Sequence, residues 1–478
     1  MKYTLISILC VCALPLHSQQ VRYDDEPCPQ SEARTVSEEF SKSTVYQIFL
    51  RPFTRAGTLK AGEKLLEHVA SLGVGIIQLC PVVLADDDAN KDFWSGRQKA
   101  FGKNPKNPYR QKDYFKIDPE YGTPQDLKEF VAKAHSLGLK VVYDIVYFHC
   151  GPKAYLISEH PDFVKRNPDG TVKVGDWKFP QLDYDNPKLR EYMLKNMEYL
   201  VKEYDFDGFR CDVEDLIPLS FWEEGAKRMR KLKPDFLFFS EGIRPKNHLQ
   251  TYDASYGFYW LWALKDVYEK GGSAEKLMSA LAREKSEFPK NSVFLRCREN
   301  HDMAMDAGDK RPDKSIGRAG ADSILFLNFS IDGVPFIYNG NEVADAARHS
   351  IFSNRYYGGL GIDWSNALTD DGKRRMQFVK KLVELKKSLP ALYRGSTIPL
   401  KNSSPEKIVS FARADKNSGQ TLICAANTKN SKEDVFIDFD ASKNFKTKIS
   451  SGAELYKSGN KLSLRLEPYG FIMAEVSE

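Results

Sequence analysis

What most constrains the fold of this chain is a rhythm. From Val45 onward, short apolar runs alternate with helical patterns, at 45–50, 75–79, 139–146, 206–211, 236–240, 255–259, 293–297 and 334–338. A run without polar alternation reads as a strand buried on both faces, as in a parallel sheet covered by helices. The intervening segments carry helical spacing: Leu65, Leu66, Val69 and Leu72 share one face. Thr123 caps a second helix that Pro124 opens, with Leu127, Phe130, Val131 and Ala134 on one side and Gly138 as its stop. Repeated strand–helix units imply parallel pairing through right-handed crossovers. Eight of them predict a closed (β/α)8 TIM barrel whose chemistry sits where strands end and loops begin.

The barrel is expected over 43–391, with a short inserted subdomain at 150–184 after the third strand, too long for an ordinary connection. Beyond residue 392 helical spacing vanishes. Runs at 407–411, 421–425, 435–439 and 471–476, separated by Asn, Ser, Gly and Lys clusters, predict an antiparallel C-terminal β-sandwich over 392–478. Residues 19–42 are polar and read as an N-terminal arm. Residues 1–18 read as a signal peptide: Lys2, an apolar stretch from Tyr3 to Leu16, then small Ser18. That stretch is too short to span a membrane, so a secreted or periplasmic protein without a membrane span is expected.

Composition narrows the classes further. A hydrophobic content of 42% and an aromatic content of 12% exclude a disordered chain. The net charge of +5 and the lack of any Lys/Arg run argue against a nucleic-acid partner. Oligomeric state is not legible. Beyond the signal stand Cys28, Cys80, Cys150, Cys211, Cys297 and Cys424. They read equally as bridges with many alternative pairings or as free buried thiols, and their spacing does not suit zinc.

The chemistry-bearing residues stand at strand ends. The third run closes on Asp144 to His149, the fourth reads Gly208-Phe209-Arg210-Cys211-Asp212, the fifth gives Ser240-Glu241-Gly242, and the seventh gives Asn300-His301-Asp302. Strand side chains alternate, so Arg210 and Asp212 face the barrel mouth while Phe209 and Cys211 face the helices. A guanidinium beside Asp212 is expected to lower its pKa and keep it ionised. Burial among Phe238, Phe239 and a neighbouring negative charge is expected to hold a proton on Glu241. Each piece alone carries little information; four such groups, in chain order, at the ends of four different strands do not fit a purely structural role.

These four segments resemble, in order, the four recurring regions of the α-amylase family, glycoside hydrolase family 13. Further matches are Asp113-Tyr114-Phe115-Lys116-Ile117-Asp118-Pro119 followed by Tyr121-Gly122-Thr123, Phe179-Pro180-Gln181-Leu182-Asp183, and Gly333-Val334-Pro335-Phe336-Ile337-Tyr338. The resemblance implies a retaining α-glucan hydrolase acting on starch-like polysaccharides or maltooligosaccharides. In it Asp212 is the nucleophile, Glu241 the general acid/base and Asp302 the carboxylate that grips sugar hydroxyls. Arg210, His149 and His301 would line the subsite of the cleaved glucose, Tyr109 would stack on that sugar, and Asp144 would support the arrangement from below. No redox or organic cofactor is implied.

The chain also departs from the family pattern. Many relatives bind a structural calcium through an Asn just before the histidine of the third strand, where Phe148 stands here, and Asp215-Leu216 replaces the Lys-His of the family's α-amylases. No calcium is therefore expected at that place, and no metal ligands are assigned. Asp86, Asp88, Asn90 and Asp92 form an alternating acidic loop, read as solvated because the glycine and distal Glu of an EF-hand are absent. Asn107 replaces the family histidine two residues before Tyr109. Asp212-Val213-Glu214 is similar to the neopullulanase and cyclomaltodextrinase branch. Trp177, Trp260 and Trp262 are read as packing residues. A transglycosylase, an α-1,6-acting glucosidase on the same site and a non-catalytic glucan-binding protein remain the alternative readings.

Overall fold

The computed structural model describes residues 25–477, so the expected signal at 1–18 and the start of the arm lie outside the described residues. Eight strands, β1 (Val45–Ile48), β2 (Ile76–Leu79), β3 (Lys140–Ile145), β4 (Gly208–Cys211), β5 (Leu237–Ser240), β6 (Ala254–Tyr256), β7 (Phe294–Arg296) and β8 (Val334–Tyr338), pair in parallel in chain order, and β8 closes onto β1. Each falls on one of the eight apolar runs: β8 matches its run to the residue, β6 begins one residue early, and the others are trimmed at one or both ends. The largest difference is at the sixth: β6 stops at Tyr256, and Gly257 hands the aromatic run to a helix, Phe258–Glu269, which buries Tyr259, Trp260, Leu261 and Leu264. The cap foreseen at Thr123 forms, and Asp126 completes it as a capping box.

The two-residue period of the strands sorts their side chains. Tyr46, Ile77, Leu79, Val141, Tyr143, Phe209, Cys211 and Phe238 face the helices. Val45, Ile76, Leu237, Leu295, Val334 and Phe336 fill the lower interior, which Phe40 of the N-terminal arm plugs with its ring 5.7 Å from Phe239. The arm is thus tied to the barrel base, and Arg34 pairs there with Asp253. Toward the strands' C-terminal ends the interior turns polar. The penultimate residues of β1 to β4 are Gln47, Gln78, Asp144 and Arg210, all buried. Tyr256 donates its hydroxyl to Gln78 at 3.0 Å, and the Arg210 guanidinium sits 5.8 Å above the Tyr256 ring.

The 150–184 segment carries a short helix, Tyr155–Glu159, and isolated antiparallel bridges such as Val164 with Leu182 and Val174 with Pro180. It folds back over the barrel mouth. All six cysteines of the described residues are free, and five are buried. No helix among the described residues is long and apolar enough to cross a membrane.

The C-terminal strands are β9 (Ser396–Pro399), β10 (Ile408–Ala414), β11 (Thr421–Asn427), β12 (Glu433–Asp440), β13 (Asn444–Ser458) and β14 (Lys461–Ser477). All six belong to one antiparallel sheet, ordered β12-β14-β11-β10-β9, with β13 against β14. β14 is long enough to pair β12 with its first half and β11 with its second. The sheet turns back on itself around Tyr469, which is left-handed, and encloses Ile408, Ile423, Val435, Leu464 and Ile472. Neither β9 nor β13 showed in the sequence, because β9 is four residues long and β13 is polar and mostly exposed.

The barrel and this sheet meet through aromatic rings. Phe326, from the barrel helix Gly317–Ser330, stacks on Phe471 of β14 with centroids 4.5 Å apart, and Phe378, from Asp370–Ser388, lies 5.5 Å from the same ring. Removing the central ring leaves a cavity facing both units. Phe471→Ala is therefore expected to cost about 3–5 kcal/mol, read as a lowered denaturant midpoint. An unchanged midpoint would mean that the rings do not join the two units energetically.

Candidate active site

The polar upper interior opens into a cavity of about 540 Å³, lined from the loops after seven of the eight strands, β2 to β8. Of the eight site residues expected from sequence, Tyr109, His149, Asp212, Glu241 and Asp302 line it directly. Asp144, Arg210 and His301 lie just beneath, each touching a lining residue.

Arg210 is the hub. Its Nη1 donates to Asp144 Oδ1 at 2.6 Å and to Asp212 Oδ1 at 2.9 Å, and its Nη2 forms an ion pair with Glu241 Oε2 at 2.5 Å. The guanidinium is fully buried, so its charge is answered by these carboxylates rather than by water. Asp212 and Glu241 thus lie side by side on one guanidinium.

One guanidinium shared three ways cannot hold every acid ionised. Burial raises the pKa of Asp212 to about 6; Arg210 opposes the rise, but the charge on Asp144 adds to it. This corrects the lowered value expected for Asp212. Burial, with Arg210 opposing and the charges of Asp212 and Asp302 adding, lifts Glu241 to about 8. The neighbouring charge foreseen for Glu241 is present. The phenylalanines are not its surroundings: Phe238 packs outward against Phe209 and Tyr252, and Phe239 lies in the lower barrel with Phe40. Asp144 is pushed by burial to about 7. Asp302 moves the other way: burial would raise it, but His301, Arg97 and Arg210 together hold it below the usual value.

The turn after β4 aims these groups. Val213 has φ 37°, a left-handed conformation uncommon for a β-branched residue, and its N–H donates to Glu241 Oε2 at 3.1 Å. Beneath it Glu214 is buried, accepting from Ser240 Oγ at 2.7 Å and Asn247 Nδ2 at 2.5 Å and pairing with Arg244 at 3.3 Å. Glycine follows Glu241 because a Cβ on Gly242 would run into the Glu214 carboxylate.

The remaining wall is fixed as tightly. Tyr109 donates its hydroxyl to Asp144 Oδ2 at 2.9 Å, and its ring stacks on His301 at 4.9 Å and 4°. One face of Tyr109 is thus taken by the protein. His149 Nε2 meets the Tyr109 carbonyl at 2.7 Å, which makes Nε2 the donor. Gln47 reads His301: its Oε1 accepts the His301 backbone N–H at 3.0 Å, so its Nε2 donates to His301 Nδ1 at 3.0 Å. The proton of neutral His301 therefore sits on Nε2, facing Asp302 Oδ2 at 3.5 Å. Burial lowers both histidines to about 4, so both are neutral near pH 7.

Several contributors escaped the sequence. Arg97, in the helix Gly96–Phe101, reaches Asp302 Oδ1 at 2.9 Å and Asp306 Oδ2 at 2.5 Å. No motif marks it. Gln47 carried a signal, a lone polar residue inside an apolar strand run. Trp177 and Trp262, read from sequence as packing residues, line the cavity, whereas Trp260 is buried and donates to Asn328. The acidic loop after β2 is not solvated throughout: Asp86 is fully buried opposite Arg110. Arg110 also donates to the carbonyls of Asp86, Asp88, Phe93 and Pro105, riveting the loop that carries Arg97 and Tyr109. Phe148, which has no group to ligate a cation, packs its ring against Trp177. Among the described residues no cluster of three or more His, Cys, Asp or Glu is placed to hold a metal.

With this geometry in view, comparison with known proteins is direct. The family profile described as "Alpha amylase, catalytic domain" matches residues 31–170 and 171–381. Alpha-amylase 2 of Dictyoglomus thermophilum is 24% identical over 444 residues, covering 85% of this chain and 72% of that protein. A cyclomaltodextrinase of Geobacillus thermopakistaniensis is 25% identical over 449 residues, covering 86% and 69%. The crystal structure of a maltogenic α-amylase from Thermotoga neapolitana shares the fold, with a TM-score of 0.76 at 24% identity over 92% of this chain and 99% of that one.

Packing several carboxyls around one guanidinium has a stability consequence. Folding forces a proton onto Glu241 at pH values where the unfolded chain would release it, so the cost grows from about pH 4.5 to about 8. Glu241→Gln is expected to raise the thermal midpoint, with little gain at pH 4.5 and a gain on the order of 2 kcal/mol near pH 8. A pH-independent difference in melting curves would contradict this.

Proposed function

The chain belongs to the α-amylase family of glycoside hydrolases, and from that premise we propose that it cleaves α-glucosidic bonds of starch-like polysaccharides or maltooligosaccharides by a retaining, two-step route. The observation that carries the proposal is that Asp212 and Glu241 both lie against the one Arg210 guanidinium, at 2.9 and 2.5 Å. Carboxyls this close fit the short separation of retaining enzymes, about 5–5.5 Å, rather than the wider gap that admits a water in inverting ones. Asp212, the more acidic of the pair, attacks the anomeric carbon. Glu241 gives its proton to the departing glycosidic oxygen, then takes one from the water that opens the covalent intermediate.

Asp302, ionised beside Arg97 and His301, holds hydroxyls of the distorting ring. His301 presents its Nε2 proton toward the same group. Arg210 balances the change in charge as Asp212 is consumed and regenerated. Asp144 and Tyr109 keep the guanidinium and the wall of the pocket in place. The route needs no cofactor. The similarity to a cyclomaltodextrinase, together with Asp212-Val213-Glu214, supports a preference for small or branched oligosaccharides over long starch chains. Lys2, the apolar stretch and Ser18 support export through a cleaved signal, which N-terminal mass analysis of the extracellular or periplasmic protein would test.

Incubation of the purified protein with maltooligosaccharides, starch and pullulan should release α-anomeric sugars. Asp212→Asn should lower kcat by about a thousandfold or more with melting behaviour retained. Full activity in that variant, or β-anomeric products, would overturn the proposal. The pH profile follows from the two carboxyls: kcat/KM should fall as pH drops through about 6, where Asp212 gains its proton, and as it rises through about 8, where Glu241 loses its own. A rate still climbing above pH 9 would mean that the proton on Glu241 is not the one the reaction requires.

A further inference from the structure

The two ends of the cavity are built differently. Arg97 belongs to the loop after β2, and its partners Asp302 and Asp306 to the helix His301–Ala307 after β7. In the closed order of the barrel, the shorter arc between β2 and β7 runs through β1 and β8. The ion pairs at 2.9 and 2.5 Å therefore bridge the mouth above those two strands. Two further contacts seal the same arc. The Arg348 guanidinium covers the Phe101 ring at 4.6 Å, and Asn104 Nδ2 donates to the Phe352 carbonyl at 3.2 Å. On the opposite side, beyond the carboxyls after β4 and β5, the segment after β6 lines the cavity with the aromatic rings of Phe258 and Trp262. Trp262 stands there 37% exposed, stacked on Phe258 at 5.6 Å.

We propose that Arg97 closes the glycone end of the cleft, so that the site holds one glucosyl unit on that side and the enzyme removes units singly from non-reducing chain ends. The inference rests on the roles given above to Asp212 and Glu241, which orient the substrate. The leaving group lies toward Glu241, after β5, where the pyranose rings of the remaining chain meet the exposed ring of Trp262, which Phe258 backs. The glycone extends the other way, toward Asp302 and the bridged arc. A second glycone unit, joined at the 4-hydroxyl of the sugar that Asp302 holds, must displace a guanidinium paired with two carboxylates. Such charge-assisted pairs are the strong ones, and half-burial of Arg97 strengthens them further. Sequence gave no hint of this, because the bridge joins loops some two hundred positions apart.

The test uses the full-length protein, Arg97→Ala, and Asp306→Asn, which frees one arm of the bridge and leaves Asp302 intact. On maltohexaose labelled at its reducing end, the wild type should give labelled maltopentaose first and should leave cyclodextrins, which have no chain end, unopened. Arg97→Ala should give labelled maltotetraose and shorter products from the first turnovers, with Asp306→Asn shifted in the same direction. Interior cleavage or ring opening by the wild type, or an unchanged product pattern in Arg97→Ala, overturns the proposal. Inhibitor binding decides the point without turnover. The wild type should bind 1-deoxynojirimycin about tenfold or more tightly than its 4-O-α-glucosyl derivative, and Arg97→Ala should lose that preference. Equal binding of the two by the wild type overturns the bridge. Absence of hydrolysis on every glucan would instead strike the proposed function and leave the inhibitor ratio to judge the bridge.

Discussion

The site depends on one buried cation. Arg210 stands at the penultimate position of β4, where the two-residue strand period turns it inward, and it has no water to solvate it. Its charge is tolerable because Asp144, Asp212 and Glu241 converge on it from three strand ends. The reverse also holds: these carboxyls tolerate one another only because the guanidinium lies between them. Hub and ring are mutually required, so the loops after β3, β4 and β5 must close together or not at all.

This sharing also separates the acids. Three carboxyls around one positive charge leave an excess of negative charge, which the cluster relieves by holding a proton. Geometry selects where. Asp212 accepts a hydrogen bond from Nη1 at 2.9 Å, whereas Glu241 faces the charges of both Asp212 and Asp302. The proton therefore rests on Glu241, and Asp302 is kept ionised from outside the cluster by Arg97 and His301. An arrangement tuned to have one acid and one base at the same pH is necessarily less stable than one with neutral side chains, and the rigid scaffold below, from Phe40 to Phe336, absorbs that cost.

How much of this the sequence disclosed follows from the range of the interactions involved. The barrel was legible because its strands are local objects: 334–338 reads as a buried strand whatever surrounds it, and it is β8 to the residue. That the eight candidate residues gather at one cavity was legible because each terminates such a strand or, like Tyr109, sits in a segment of recognisable pattern. The folded-over sheet was not, because its shape is decided by the length of β14 and a turn at Tyr469, and the few apolar residues of β13, such as Phe445 and Leu455, are spread through a polar stretch. Arg97, Trp177 and Trp262 were not, because a polar loop and a lone tryptophan look alike whether they face solvent or a cavity. The pKa of Asp212 was misjudged for a related reason. An Arg-x-Asp triplet shows one partner for the guanidinium, and only the assembled barrel shows that there are three.

The residues that sequence missed share a place. Gln47, Arg97, Arg110 and Trp262 do not belong to the strand ends that carry the carboxyls, or they act on them from the side. Gln47 sets the tautomer of His301, Arg110 holds the loop after β2, and Arg97 and Trp262 mark the two ends of the cavity. The chemistry of bond cleavage is fixed by short-range spacing that a barrel strand enforces. What the cavity admits is fixed by long-range contacts between loops, which a strand period does not constrain. Those loops can change without disturbing the guanidinium and its carboxyls. A barrel of this kind therefore keeps its reaction while its substrate shape is set by a few side chains at the rim.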